Sequence, residues 1–381
     1  MRFLRRERAT LEALLPGLDD ALAARPLADF ERPGSPGIEA FRRAGGPGLL
    51  VPSEHKGAGA TALEAVRIQR AIGARSPSLA VATTMHHFSM ASLVVLSETS
   101  DGFEWMLMEA LASDRKLLAS GFAEGRPGAS ILDPTMTGVR VDGGVRISGS
   151  KRPCSLAHSM DLLTASLRLT AADGTSDGDG AGLAIAMVPA DTPGLTVTPF
   201  WGSQILAGAE SDQVTLADVY VPDELIVPVS PPDGQSLDAL QVAGFVWFEL
   251  LMTASYLGVA SALVERVLQR GRGAAGERLR LAGDLESAMG AVENQAREAP
   301  DRHTDPAMLG EVLTTRYAVQ DCLARVVPAA VELLGGMAFI TSMEVAYLAG
   351  AAHALGFHPP SRVAMADPLD QFLLGHPLLV T

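Results

Sequence analysis

A chain of 381 residues that is 48% hydrophobic and only 19% charged can bury a large core and organise into two or three packed regions. Its formal charge of −14, with 30 scattered basic residues, argues against a nucleic-acid or anionic-membrane partner, because those surfaces need clustered lysine and arginine. Cys154 and Cys322 stand far apart and lack a ligand spacing, so neither a disulfide framework nor a metal site is expected, and cytosolic redox conditions fit.

The opening "MRFLRRERATLEALLPGL" carries an acidic residue before any long apolar run, and charge or glycine interrupts the later runs before the ~18 residues a bilayer span needs. The expectation is a soluble, cytoplasmic protein. From about 4 to 115 the pattern is helical: "ALEAVRIQRAIGA" places Leu63, Val66, Ile68, Ala71 and Ile72 on one face, and "FEWMLMEALAS" repeats the spacing. From about 117 to 228 short β-prone runs follow, "GVRVDGGVRISGS", "MDLLTASLRLT", "GLAIAMVPA" and "DQVTLADVYVP", separated by Gly, Asp and Pro turns. Within them "AADGTSDGDGAG" reads as an exposed hairpin loop, because strand signals resume directly after it. After "PVSPPDGQ" come four mostly apolar helical stretches at 240–270, 281–298, 308–336 and 343–355, the number a bundle needs.

An α-region, a β-region and a four-helix bundle in that order, at this length, resemble the acyl-CoA dehydrogenase superfamily of flavoproteins. Four collinear stretches carry the resemblance. "LLVPSEHKGAGAT" at 49–61 is similar to the family's early "IPEEYGGxG" loop, and "GVRISGSKRPCSLAHSMDLL" at 144–163 to its "YxLNGxKxWITNAxxAD" flavin-contact segment. "SDQVTLADVYVPDELI" at 211–226 is similar to "TxEVxFDDVRVPxENLL", and "VELLGGMAF" at 331–339 to "xQxxGGxGY". The resemblance implies an α+β fold: an N-terminal α-helical domain at 1–116, a central small β-barrel or sandwich at 117–228, and a C-terminal four-helix bundle at 229–381. It also implies FAD and, through a flavin site shared between subunits, a homodimer or homotetramer.

By the same resemblance, Pro153 takes the tryptophan position beside the flavin ring, Cys154 the isoleucine, and Ser155 the threonine that hydrogen-bonds the flavin. Flat apolar walls with a few polar partners are what a buried ring system needs. "LASGFAEGRPGAS" at 118–130 resembles the "xLTEPxAGSD" strand and loop, which puts Phe122, Ala123 and Ser130 at the cofactor; Ala123 and Gly125 replace the usual threonine and proline. Arg272 in "RGAAG" matches an arginine that reaches the diphosphate of a neighbour's flavin, although a solvated surface charge is the plainer reading. Gly335 and Gly336 would let the backbone approach the same cofactor, or simply cap a helix.

The pattern breaks at the catalytic base. Where the family has the glutamate of "YEGT", this chain has Phe357-His358-Pro359-Pro360, and the preceding arginine-aspartate pair is replaced near Ala349-Gly350. A minority of the family carries its glutamate on the first bundle helix, just before an arginine; here Phe248 precedes Glu249, so the glutamate sits at the arginine position. His358 could be a general base, could support oxygen chemistry as in the flavin monooxygenases of the same fold, or could cap a helix in solvent, with Pro359 fixing where the chain turns. His86 and His87 in "MHHFSM" fall where the family's substrate-cavity helix begins, so they join Phe248 and Phe357 as candidate pocket residues, though core histidines are commoner.

The function expected is FAD-dependent α,β-dehydrogenation of an acyl thioester on CoA or a carrier protein, or of another small molecule, with His358 or Glu249 as base. An electron-acceptor protein or O₂ would complete it. Two alternatives stay open: oxygen-dependent modification on the same fold, as in natural-product pathways, and a flavin-binding member without chemistry.

Overall fold

The computed structural model describes every residue except 100, 101, 103, 126–131, 172–181, 231–236 and 381. Among the described residues seven α-helices come first: α1 (Arg5–Leu14), α2 (Leu18–Ala23), α3 (Leu27–Phe30), α4 (Pro36–Arg43), α5 (Ala62–Arg75), α6 (Pro77–Thr99) and α7 (Glu104–Ser113). The helical periodicity of α5 is realised, with Val66, Ile68, Ala71 and Ile72 fully buried. Its start is fixed by a capping box in which the Thr61 hydroxyl accepts from the Glu64 N–H while the Glu64 carboxylate accepts from the Thr61 N–H.

Eight strands follow: β1 (Leu118–Gly121), β2 (Thr137–Val141), β3 (Gly144–Cys154), β4 (Leu162–Thr170), β5 (Gly182–Pro189), β6 (Leu195–Thr198), β7 (Asp212–Pro222) and β8 (Ile226–Val229). They form one sheet in the order β6-β7-β3-β2-β4-β5-β8, with β1 parallel to β4. The tight β2–β3 hairpin turns on Asp142-Gly143, where Gly143 has φ +69°, the left-handed conformation that a two-residue turn requires. Strands β4 and β5 pair from Leu162↔Pro189 to Leu169↔Gly182, so they flank the expected hairpin loop, whose residues 172–181 lie outside those described.

The helical C-terminal part comprises α8 (Ala239–Gln269), α9 (Ala275–Arg302), α10 (Pro306–Leu334), α11 (Gly336–Thr341), α12 (Met343–Ala352) and α13 (Arg362–Leu373). Three of the four expected bundle helices are long. The fourth ends at Ala352 and passes through a 3-10 turn at His353–Phe357, while α11 and α13 add segments that the apolar pattern did not reveal. Helix α8 is the hub, packing on α5, α6, α9, α10 and α12. Contrary to the sequence expectation, the helical stretches Pro77–Glu98 and Ala239–Gln269 are long and apolar enough to span a bilayer. Of the 18-residue apolar window in each, 72% and 89% is buried inside the protein, so this apolar surface belongs to the core.

Candidate active site

Between the sheet and helices α6, α8 and α12 lies a cavity of about 890 Å³. Its sheet-side wall carries Ser120, Phe122, Ala123, Pro153, Ser155 and Ser211, and its helical wall carries Met85, Phe88, Gly244, Phe248, Phe357 and His358. Strand alternation explains the β3 end: Pro153 and Ser155 face the cavity while Cys154 turns into the core, fully buried, its thiol pushed up to about 12 by desolvation. The hydroxyls of Ser155 and Ser211 stand 3.0 Å apart. Trp201 closes the same wall, its indole N–H donating to the Ile205 carbonyl.

His358 sits just after the 3-10 turn in an extended conformation, and three contacts fix it. Its Nε2 lies 2.8 Å from the Tyr256 hydroxyl on α8, its ring meets Phe248 edge-on with centroids 6.2 Å apart, and its carbonyl accepts from Arg316 of α10. Burial, with the Arg316 charge nearby, lowers the imidazole to about 3, so it is neutral at physiological pH. The rings of Phe122, Phe88, Phe248, His358 and Tyr256 follow one another at centroid spacings of 5.5–6.2 Å, from the sheet-side wall across the helical wall and into the core.

Glu249 occupies a different place from the one a base requires. It is fully buried outside the cavity wall, and Arg316 Nη1 lies 2.8 Å from both of its carboxylate oxygens. Burial raises the Glu249 carboxyl to about 7, against the opposing pull of Arg316. Because an uncompensated buried guanidinium is costlier than a paired one, we assign the pair as ionised. Arg316 also donates to the carbonyls of Leu355, His358 and Pro359, so this ion pair anchors the loop that carries His358. Tyr317 adds a bond from its hydroxyl to the Pro360 carbonyl.

The paired histidines are core residues, away from the cavity lining. His86 accepts the Leu118 N–H on Nδ1 at 3.0 Å and meets the Pro47 carbonyl with Nε2 at 2.9 Å, which defines the Nε2–H tautomer and ties α6 to β1. Desolvation lowers it to about 4. His87 is fully buried beside Phe41 and His86, and neither of its ring nitrogens has a partner among the described residues. Ser130 lies outside the described residues. Arg272 and Gly335-Gly336 are not among the residues that line the cavity either. They come together at one end of the helical bundle, where a Cβ on Gly273 would meet Leu333 at 2.8 Å, and Gly335 takes φ +87° facing open space.

Sequence reading missed Tyr256 and Arg316. The available signal was spacing: Glu249, Thr253 and Tyr256 recur at i, i+4 and i+7 on an otherwise apolar helix, and Arg316 interrupts another apolar stretch.

No protein-family model matches the chain. It is 47% identical over 381 residues to isobutylamine N-hydroxylase of Streptomyces viridifaciens, covering 99% of this chain and 100% of that one. Among solved structures it superposes on glutaryl-coenzyme A dehydrogenase in its glutaryl-CoA complex, with a TM-score of 0.76 at 20% identity, covering 98% of this chain and 94% of that one. The chain belongs to the acyl-CoA dehydrogenase superfamily of flavoproteins. Two further superfamily structures share its fold. One is the nitrososynthase of Micromonospora carbonacea var. africana (TM-score 0.81, 21% identity, 99% and 98% covered). The other is KijD3 in complex with FMN and a dTDP-linked 3-amino-4-keto sugar (TM-score 0.79, 20% identity, 98% and 94% covered). The protein is thus a flavin-dependent oxidoreductase of this superfamily, with an imidazole, that of His358, on the helical wall of its cavity.

Proposed function

We propose that the protein is a flavin-dependent monooxygenase that N-hydroxylates a small aliphatic amine. The observation that carries this is the helical wall of the cavity: among the described residues none that lines it is a carboxylate, and the nearby Glu249 is withdrawn into its ion pair with Arg316. Abstraction of an α-proton from an acyl thioester needs a desolvated acceptor base, and neither glutamate position supplies one. The carboxylates at the cavity, Glu124 and Asp133, belong to the sheet side and are ion-paired with Lys151 and Arg168. End-to-end similarity to an amine N-hydroxylase supports the same reading.

The cavity suits a flavin. Its volume admits a ring system and a small substrate together, Trp201, Phe122 and Pro153 offer flat apolar surfaces, and Ser155 and Ser211 offer hydroxyls to a polar edge. We take the flavin to be FAD: by the family resemblance, Arg272 and Gly335-Gly336, which do not line the cavity, would meet the adenosine diphosphate end of a cofactor held by another copy of the chain. In its reduced form the flavin supplies two electrons to O₂, so that amine, O₂ and reduced flavin give hydroxylamine, water and oxidised flavin. The chain's own part is to exclude water, bind and orient. Met85, Phe88 and Phe248 would bury the alkyl group of the amine, and the absence of a carboxylate on that wall favours the neutral amine, whose lone pair is the reactive feature. Phe357, 85% exposed, stands at the mouth of the cavity.

The test is to mix purified protein with chemically reduced FAD, ¹⁸O₂ and short branched amines. A hydroxylamine carrying one ¹⁸O is expected. Absence of that product, with anaerobic bleaching of oxidised flavin by an acyl thioester, would replace this reading by dehydrogenation.

A further inference from the structure

We propose that Tyr256 is a positioning residue that locks His358 in the tautomer with its proton on Nδ1, so that the imidazole meets the cavity as a hydrogen-bond donor instead of a base. The argument is one of buried donors and acceptors. Tyr256 is 1% exposed, and among the described residues its hydroxyl has a single partner, His358 Nε2 at 2.8 Å. If Nε2 carried the proton and donated to the phenol, the phenolic O–H itself would point into the core with nothing to accept it. A buried donor left without a partner costs about 1–3 kcal/mol. If the phenol donates, both buried atoms are satisfied by one bond. The neutral ring then has to carry its proton on Nδ1.

The other ring nitrogen is free to use it. His358 lines the cavity, and its Nδ1 is neither bonded to a described residue nor among the buried polar atoms lacking a partner, so it is open to the cavity. The imidazolium alternative would orphan the same phenolic proton and would place a cation near Arg316, which contacts the carbonyls on both sides of this bend. Arg316 and Tyr256 therefore divide the work. The arginine sets where the ring leaves the backbone, and the tyrosine sets which nitrogen bears the proton.

The chemical consequence rests on the N-hydroxylation reading. A base facing the cavity would serve α-proton removal, whereas a donor serves the oxygen atom that departs as water and has to collect protons as it leaves. The replacement of a carboxylate by histidine in "GFHPPSR" would accordingly change the polarity of the group, from acceptor to donor.

The experiment uses flavin-free protein labelled with ¹⁵N-histidine and two-bond ¹H–¹⁵N correlation spectra at neutral pH, with His358→Asn identifying the His358 signals. An Nδ1-protonated His358 is expected in the unsubstituted protein and is expected to disappear in Tyr256→Phe. His86, whose contacts define the opposite tautomer, is the internal control and should not respond. An Nε2-protonated His358 in the unsubstituted protein overturns the proposal, as does a Tyr256→Phe protein that keeps the Nδ1–H form. Should that variant fail to fold, the spectrum of the unsubstituted protein decides alone. Neither amine nor oxygen enters the measurement, so its failure is distinct from failure of the proposed reaction. In turnover, Tyr256→Phe should lose about ten- to a hundredfold in hydroxylamine formed, and unchanged turnover would remove the donor from the chemistry.

Discussion

Replacing Arg316 by methionine separates the stability of the bundle from the placement of His358. The guanidinium is fully buried, lies 2.8 Å from both oxygens of an equally buried Glu249, and donates to the carbonyls of Leu355, His358 and Pro359. Removing it alone leaves a carboxylate in the core without its cation, a loss of about 3–5 kcal/mol. The Leu355 carbonyl keeps a long bond from Gln320 at 3.4 Å, and those of His358 and Pro359, close to the cavity, can rehydrate. Most of the penalty is therefore the orphaned charge. The double variant Glu249→Leu/Arg316→Met removes both charges, and replacing a buried ion pair by apolar groups is close to neutral or stabilising. Urea unfolding followed by circular dichroism should show Arg316→Met strongly destabilised and the double variant restored to within about 1–2 kcal/mol, the residue being the lost loop bonds. Turnover should behave differently, because the double variant regains stability without regaining the anchor of the His358 loop, and hydroxylamine formation should stay at least about tenfold down. A double variant with full turnover, or an Arg316→Met protein destabilised by less than about 1 kcal/mol, would refute this division of roles.

His87, buried with two unpartnered ring nitrogens, is expected to cost stability: His87→Met should raise the urea midpoint by the equivalent of about 1–3 kcal/mol at neutral pH, and a lower midpoint would show that the ring has a partner in solution. Burial holds His86, His87 and His358 below the ordinary histidine value, so the unfolded chain binds more protons than the folded one once pH falls below about 6.5, and stability declines with acidification from there towards about 4, where His86 titrates in the folded state. Each contributes a slope of about 1.4 kcal/mol per pH unit in that window, and unfolding curves of His87→Met should be shallower by one such increment. Ser155→Ala removes a hydroxyl from the cavity wall without touching the core. Flavin affinity by fluorescence titration should fall about tenfold, and an unchanged affinity would take Ser155 out of the flavin site.

The order of helices and strands was legible because period-3.6 and period-2 apolar patterns report directly on which face of each element is buried, as in Val66, Ile68 and Ile72 of α5 or the β2–β3 hairpin around Asp142-Gly143. The hidden elements were those whose apolar residues stay exposed: α11 carries Met337, Phe339 and Ile340 on its surface, and α13 contains Pro368. At the site, Pro153, Ser155, Phe122, Phe248 and His358 could be placed at one cavity from motif order alone, whereas Cys154, His86 and His87 could not be separated from them. That separation depends on the direction of each side chain, which a one-residue difference in strand position or about 100° around a helix reverses.

The sequence by itself therefore determined the fold and the presence of an imidazole at position 358, since both are matters of residue type in order along the chain. Only the tertiary structure decided what the remaining polar groups do. Glu249 could be read as a base until Arg316, 67 positions away, was found to hold it, and His358 could be read as a proton acceptor until Tyr256, 102 positions away, was found at its Nε2. A buried hydrogen bond has one donor and one acceptor, so the role of each group is set by its partner, and partners separated this far in sequence meet only when the chain folds.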